Sequence, residues 1–281
     1  MTTKRDWERD VVYLVQFPRT KCIPSMSPFC LKLETWLRIA DIKYENVNNN
    51  FTTKSSKGQL PFVELNGKQI ADSHFIIKSL TEIFHKEEIE SVLSEDDAAT
   101  ALAFEKLIEG SLFWFLVKLR HEHKDELLIG PMSENMTSTE KMMKPIVSWF
   151  FGRTLKTKLF HQGMGRHTME EGLSLAKDDL KALSVYLGKK KYMTGDQATR
   201  LDATAFGHLA EFWYLPVGSE LEIKKFMGTE TQNLVEYLER VKSTYWPDWD
   251  EACRDMSLAT KWKIGESDEA KKDDQIKNAA E

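Results

Sequence analysis

Residues 11–16 form an apolar, β-branched and aromatic run, the pattern of a buried strand. A polar loop containing Pro18, Pro24 and Pro28 follows. Phe29, Leu33, Trp36, Leu37 and Ala40 then recur at helical spacing, with Lys32, Glu34 and Arg38 on the opposite face. Tyr44–Val47 predicts a short second strand. Phe62–Leu65 and Lys68–Ala71 flank Asn66-Gly67, the strongest short-range hairpin signal. Ile76, Leu80, Ile83 and Phe84 predict another helix. From Glu95 onward the strand signals vanish. Leu102, Leu107, Leu112, Leu116 and Leu119 predict a long helix that ends before Gly130-Pro131. Further helices are expected over 139–160, Met169–Leu187, 199–214 and 231–244.

The first strand, helix and second strand must close a parallel pair through the helix, whereas Asn-Gly forces an antiparallel hairpin. A mixed four-stranded sheet with helices packed on it is the thioredoxin-like plan. Strands followed by a run of helices give a fold of the α/β plus all-α class, with two packed subdomains. The expected organisation is an extension over 1–10, a thioredoxin-like domain over 11–85, a helical domain over 95–249 and a disordered charged tail over 264–281.

The 281 residues carry 44 acidic and 39 basic side chains, a net charge of −5, which removes any global reason to expect nucleic acid as a partner. No apolar stretch approaches the roughly 18 residues that a spanning helix needs. Residues 1–10 have no apolar core of a secretory signal. Three cysteines without regular spacing do not make a disulfide framework. These features point to a cytoplasmic, reducing setting.

Candidate chemistry lies in three short segments. In Ser25-Met26-Ser27-Pro28-Phe29-Cys30, proline suits the first helical position, so Ser27 is the natural N-cap. A hydroxyl there stands among unpaired N–H groups at the positive end of the helix, a place that stabilises a thiolate. A capping role alone would also explain it. Leu60-Pro61 precedes a strand, where a cis bond makes a turn whose backbone is open to an extended peptide. Asp72-Ser73 opens a helix and offers a carboxylate and N–H groups to the two ends of an amino acid, although capping again suffices for either residue alone. Together the segments describe a glutathione site: thiol at Ser27, cysteinyl backbone at Leu60 and Pro61, γ-glutamyl end at Asp72 and Ser73.

The order S-P-F-C, Q-L-P and D-S resembles the amino-terminal half of glutathione transferases. Thr199 and Asp202, a T-x-x-D capping box, are similar to a feature of their helical domain. Gln16-Phe17-Pro18-Arg19, the run from Ser25 through Cys30-Leu31-Lys32-Leu33-Glu34-Thr35-Trp36-Leu37-Arg38, and Leu201-Asp202-Ala203-Thr204-Ala205-Phe206-Gly207-His208-Leu209 resemble the failed axon connections family. Its relatives include the cadmium-responsive proteins and the metaxins. The resemblance implies glutathione as co-substrate or ligand, a serine-type transferase reaction on a small electrophile, a homodimer by default and a role in axon development. Many members of this family carry the fold without an established reaction. A non-catalytic adaptor and a metaxin-like membrane-associated protein are therefore the alternatives.

Other residues invite weaker readings. Ser25 is a rival hydroxyl, Cys30 the remnant of a C-x-x-C pair, and Tyr13 a strand residue expected in the core. His121-Glu122-His123 with Asp125 lacks metal-site spacing and reads as a solvated helix end, so no metal is expected. Lys141, Lys144, Arg153, Lys156, Lys158 and Arg166 interleave with Trp149, Phe150, Phe151, Leu155, Leu159 and Phe160, with no acid between 141 and 169. An amphipathic helix packed on its apolar side is the favoured account, and contact with an anionic membrane the less favoured one. Substrate selection is expected near residues 112–117 and 149–151, in an apolar pocket.

Overall fold

A computed structural model describes residues 4–47, 49, 53–135, 138–215 and 221–258. The charged segment 264–281 lies outside them. Strands β1 (Val12–Val15), β2 (Tyr44–Val47), β3 (Phe62–Leu65) and β4 (Lys68–Ala71) form one sheet in the order β2-β1-β3-β4. β1 pairs parallel with β2 and antiparallel with β3, and β3 pairs antiparallel with β4 through the Asn66-Gly67 turn. Helix α1 (Pro28–Ile39) is the crossover between β1 and β2, and α2 (Ser73–Phe84) follows the hairpin. The stretch before β1 is fastened to the hairpin: Lys4 N–H donates to Glu64 (2.9 Å), Asp10 N–H to Asn66 (2.8 Å), and the Trp7 ring covers Gly67.

A short α3 (Glu88–Ser91) leads into the helical part: α4 (Glu95–Leu107), α5 (Phe113–Glu122), α6 (Gly130–Met132), α7 (Ser138–Gln162), α8 (Met169–Leu187), α9 (Arg200–Trp213), α10 (Glu222–Glu230), α11 (Gln232–Tyr245) and α12 (Trp249–Asp255). The long helix expected from Leu102 is interrupted. π-helical turns at Ile108–Leu112 and Asp125–Ile129 each admit one extra residue per turn, which a fixed 3.6-residue period does not register. Thr199 caps α9: its N–H and Oγ1 both donate to Asp202 Oδ2, at 2.8 and 3.2 Å.

The two halves share their cores. Leu14, Leu33, Trp36, Leu37, Ile76 and Leu80 pack between the sheet, α1 and α2, and Ala203 of α9 is part of that cluster. Ile23, Met26 and Leu31 join the larger helical core with Leu112, Phe115, Leu116 and Phe206. Helix α1 is therefore covered on both sides. Lys32, Glu34 and Arg38, expected on an outward polar face, are buried: Glu34 against the loop after β1, Arg38 against the segment between α11 and α12, and Lys32 where α9 approaches. Gly207 permits that approach: a Cβ there would stand 2.6 Å from Lys32 N and 2.7 Å from Pro28 O.

Helix α7 departs from expectation in the opposite sense. Its inward side is Ser148, Gly152 and Leu159, small or aliphatic, while Trp149, Phe150 and Phe160 are 58%, 60% and 55% exposed. The aromatic residues are not the packed side of this helix. The side chains of Lys141 and Lys144 lie outside the described part.

Candidate functional site

Register brings the three segments together. Val15 at the end of β1 pairs with Phe62, and Phe62 pairs with Ala71. The chain leaves β1 toward Ser27, enters β3 directly from Pro61 and leaves β4 directly into Asp72. All three segments therefore sit at one end of the sheet, over a small cluster of Val15, Phe62, Ala71 and Leu60.

Ser27 caps α1 with extended backbone (φ −103°), and Pro28 occupies the first helical position. Its half-buried Oγ accepts from Cys30 N–H at 3.4 Å and also lies within hydrogen-bond reach of the Cys30 thiol. Ser25 is fully buried and its Oγ accepts from Ser27 N–H (3.3 Å), so it shapes the loop rather than facing solvent. Cys30 is inside the core, where burial pushes its thiol up to about 11, which keeps it protonated and inert. Tyr13 is core too, and its hydroxyl accepts from Glu8 N–H (2.7 Å).

The Leu60–Pro61 peptide bond is cis. Among the described residues the backbone N–H and C=O of Leu60 take no hydrogen-bond partner, which leaves both for a ligand. Asp72 caps α2 at φ 82°, with Oδ1 accepting from His74 N–H (3.0 Å) and Oδ2 lying 3.8 Å from Lys57 Nζ. Lys57 also lies over the exposed Phe75 ring, 4.3 Å from its centroid. Ser73 is buried at the first position of α2. The donor set fits glutathione in kind: a hydroxyl and helix end for sulfur, a free peptide edge for the cysteinyl unit, and a carboxylate with N–H groups and a lysine for its charged end.

Two supports of this site carry no motif that marks them. Arg120, at the end of α5, donates to Met26 O (2.8 Å) and to Glu211 of α9 (2.6 Å), and so holds the residue before Ser27 against the helical domain. Burial raises the Glu211 carboxyl to about 7 despite the neighbouring guanidinium. Behind α1, Arg19 pairs with both Glu34 oxygens at 2.6 and 2.7 Å, and Gln16, Tyr44 and Asn46 also donate to Glu34. Burial alone would raise the Glu34 carboxyl; the charge and hydrogen bonds of Arg19, with the charge of Arg38, hold it well below the usual range. Arg38 reaches Asp248 and lies 3.6 Å over the Trp246 ring, whose Nε1–H donates to Thr35 (3.0 Å). Lys32 pairs with Glu109 at 2.7 Å. The polar half of the run Leu31 to Arg38 thus anchors α1; it does not face a ligand.

Of the segments expected to select the substrate, 112–117 presents two half-buried rings, Phe113 and Trp114, with Phe113 lying 4.9 Å from the Phe29 ring next to Pro28. Leu112, Phe115, Leu116 and Val117 are buried core, and Trp149, Phe150 and Phe151 face outward. His121, Glu122 and His123 end α5, and among the described residues no three potential ligands gather as a metal site would require.

Sheet order, cis-Pro61 and the capped starts of α1 and α2, with a helical domain docked on α1, define a glutathione transferase-like protein. Comparison agrees: the family described as Glutathione S-transferase N-terminal domain matches residues 28–126, and Glutathione S-transferase, C-terminal domain matches 176–241. The two matches together cover more than half of the chain, which belongs to the glutathione S-transferase family and, more narrowly, is similar to the failed axon connections family. It is 38% identical to Failed axon connections of Drosophila melanogaster over 91% of this chain, and spans 63% of that relative's length. It is 29% identical to an isoprene-epoxide–glutathione S-transferase of Rhodococcus, covering 79% of this chain and 94% of the relative, and 22% identical to mouse metaxin-2, covering 86% and 91%. Among solved structures, the β-etherase LigF of Sphingobium superposes with a TM-score of 0.58 at 15% identity, covering 88% of this chain and 99% of that one. A Ceriporiopsis subvermispora glutathione S-transferase in complex with glutathione gives 0.56 at 16%, covering 83% and 97%. These two likenesses concern the fold.

Proposed function

We propose that the protein binds glutathione across the starts of α1 and α2 and uses it as a nucleophile against small electrophiles. The observation that carries this reading is the strand register Val15, Phe62, Ala71, which lines up Ser27, the free Leu60 backbone edge and Asp72 along one end of the sheet. Bound glutathione would supply the sulfur nucleophile. Ser27 Oγ–H would donate to that sulfur and, with the N–H groups opening α1, favour its deprotonated form. Leu60 would hold the cysteinyl backbone, and Asp72 with the first N–H groups of α2 the γ-glutamyl end. The structures of glutathione transferases with glutathione and sulfonate analogues support the ligand class. The Rhodococcus relative's name makes an epoxide the first electrophile to try. Residence in the cytoplasm, a homodimer and a part in axon development belong to the same proposal and rest on the family likeness.

One observation favours a second reading, a non-catalytic adaptor: Trp149, Phe150 and Phe151, expected to help receive an electrophile, face outward. Calorimetric titration of glutathione, followed by turnover of an epoxide or aryl halide, separates the two. Binding with turnover that falls about 10²–10³-fold in Ser27→Ala supports the enzyme, since one preorganised donor is lost while the other contacts remain. Binding without turnover leaves the adaptor. No heat at millimolar glutathione rejects the ligand.

A further inference from the structure

Helix α7 carries an outward stripe that the glutathione reading does not use. Met142, Ile146, Trp149, Arg153, Lys156 and Phe160 recur at alternating steps of four and three residues and all are exposed, Met142 by 81% and Ile146 by 52%. Phe150 widens the stripe beside Trp149. From Met142 to Phe160 it runs about 27 Å at the helical rise. A soluble monomer scatters such residues singly; a contiguous row of this length marks a surface that meets something. The inward side, Ser148, Gly152 and Leu159, is satisfied by the domain, with Lys124 Nζ lying 3.6 Å from where a Cβ of Gly152 would be. The aromatic side is therefore surplus to folding.

Charge selects the occupant. Residues 141–169 contain six basic and no acidic side chains in a chain whose net charge is −5. Arg153 lies 6.0 Å from the Trp149 centroid and Arg166 5.1 Å from the Phe160 centroid, so the cations are mixed into the aromatic row and not set to one side. A second copy meeting this stripe across a two-fold axis would set one wholly basic segment against another, which repels. An anionic layer with an apolar interior meets both halves of the pattern. Trp and Phe rings settle at headgroup depth, while Arg and Lys lay their stems along the apolar surface and keep their charges at the phosphates. We propose that α7 is a peripheral docking surface for anionic phospholipid membranes. Among the described residues no helix is long and apolar enough to cross a membrane, and docking of this kind needs none.

The test is co-sedimentation of the purified full chain with vesicles of phosphatidylcholine alone or doped with phosphatidylserine. Wild type should pellet with the doped vesicles, be released by salt, and bind the neutral ones weakly. Arg153→Glu with Lys156→Glu should lower partitioning at least about tenfold, because two attractions become repulsions. Trp149→Ser with Phe160→Ser should lower it comparably by removing the inserted rings. Absence of phosphatidylserine-dependent binding overturns the proposal, as does undiminished binding by both double variants. Dimerisation in ultracentrifugation that Trp149→Ser with Phe160→Ser abolishes would assign the stripe to a second copy instead. Soluble polyglutamate binding as tightly as the vesicles would assign it to an acidic protein segment. Either result overturns the lipid assignment.

Discussion

Helices α1 and α7 break the inside–outside rule in opposite directions. α1 buries Lys32, Glu34 and Arg38; α7 exposes Trp149, Phe150 and Phe160. Each buried charge of α1 has a partner: Glu109 for Lys32, Arg19 for Glu34, and Asp248 for Arg38. The Lys32 and Arg38 pairs cross from the sheet domain to the helical one, the Arg19–Glu34 pair ties α1 to the loop after β1, and together they fix where the helix end bearing Ser27 stands. The exposed rings of α7 fix nothing within the chain. A buried charge is costly unless paired and so reports on folding, whereas an exposed aromatic row reports on a partner outside.

The sharpest break of this contrast is Glu34→Gln. It leaves Arg19 buried against a neutral amide, and urea unfolding should show a loss of about 3–5 kcal/mol. A loss below 1 kcal/mol would mean that the pair does not seat α1. Next in size is Gly207→Ala. Its added Cβ meets backbone atoms of Lys32 and Pro28 at 2.6 and 2.7 Å, which cannot yield as a side chain can. A loss of about 1–3 kcal/mol is expected, together with weaker turnover as the start of α1 is pushed aside.

A pH series adds a third test. His208 is buried behind α1, its Nδ1 within 2.8 Å of Thr204 O, and burial lowers its pKa to about 4. The unfolded chain takes up this proton near pH 6.5 and the folded chain only near 4. The contribution of His208 is therefore complete above 6.5 and is lost as the pH falls toward 4. Lys32 of α1 and Glu109 of the π turn act on the ring, and Arg120 does as well. Asp202 and Glu211, raised by burial, act with the opposite sign and are common to both proteins in the comparison. Wild type should lose on the order of 1–3 kcal/mol relative to His208→Gln across that window, read as a narrowing gap in unfolding free energy. A constant gap would place the ring in a more polar setting. The smallest effect belongs to α7: Trp149→Gln should shift stability by no more than about 0.5 kcal/mol, because the ring is not part of the core. A loss above 2 kcal/mol would show that the stripe serves folding after all.

The elements of the sheet were legible because period two and period 3.6 are local signals, and Asn66-Gly67 and the cap at Ser27 are punctuation. Leu60, Pro61, Asp72 and Ser73 could be named from the same local marks. Their meeting at one end of the sheet depends on register, which the pattern left implicit. Three things were not legible. The polar face of α1 looked solvated, because periodicity says which residues share a side but not what covers it, and Arg38 finds Asp248 only through the tertiary fold. The aromatic residues of α7 were expected inside for the same reason. Helices α3, α10 and α12 are short and charged, and the π turns shift the phase on which the reading relied. Lys57 and Arg120 were missed because neither stands in a motif: one comes from a loop, the other from what reads as a charged helix end.

The central claim is that Ser27, Leu60, Pro61, Asp72 and Ser73 form one glutathione site. Thermal unfolding of wild type and Asp72→Asn, each with and without millimolar glutathione, tests it most directly. The amide can still accept from His74 N–H, so the cap at α2 is retained, but it no longer offers a charge to the ligand's ammonium group. Glutathione should raise the Tm of wild type by several times the shift it gives Asp72→Asn, since stabilisation follows affinity. Equal shifts in the two proteins, or no shift in wild type, would contradict the site.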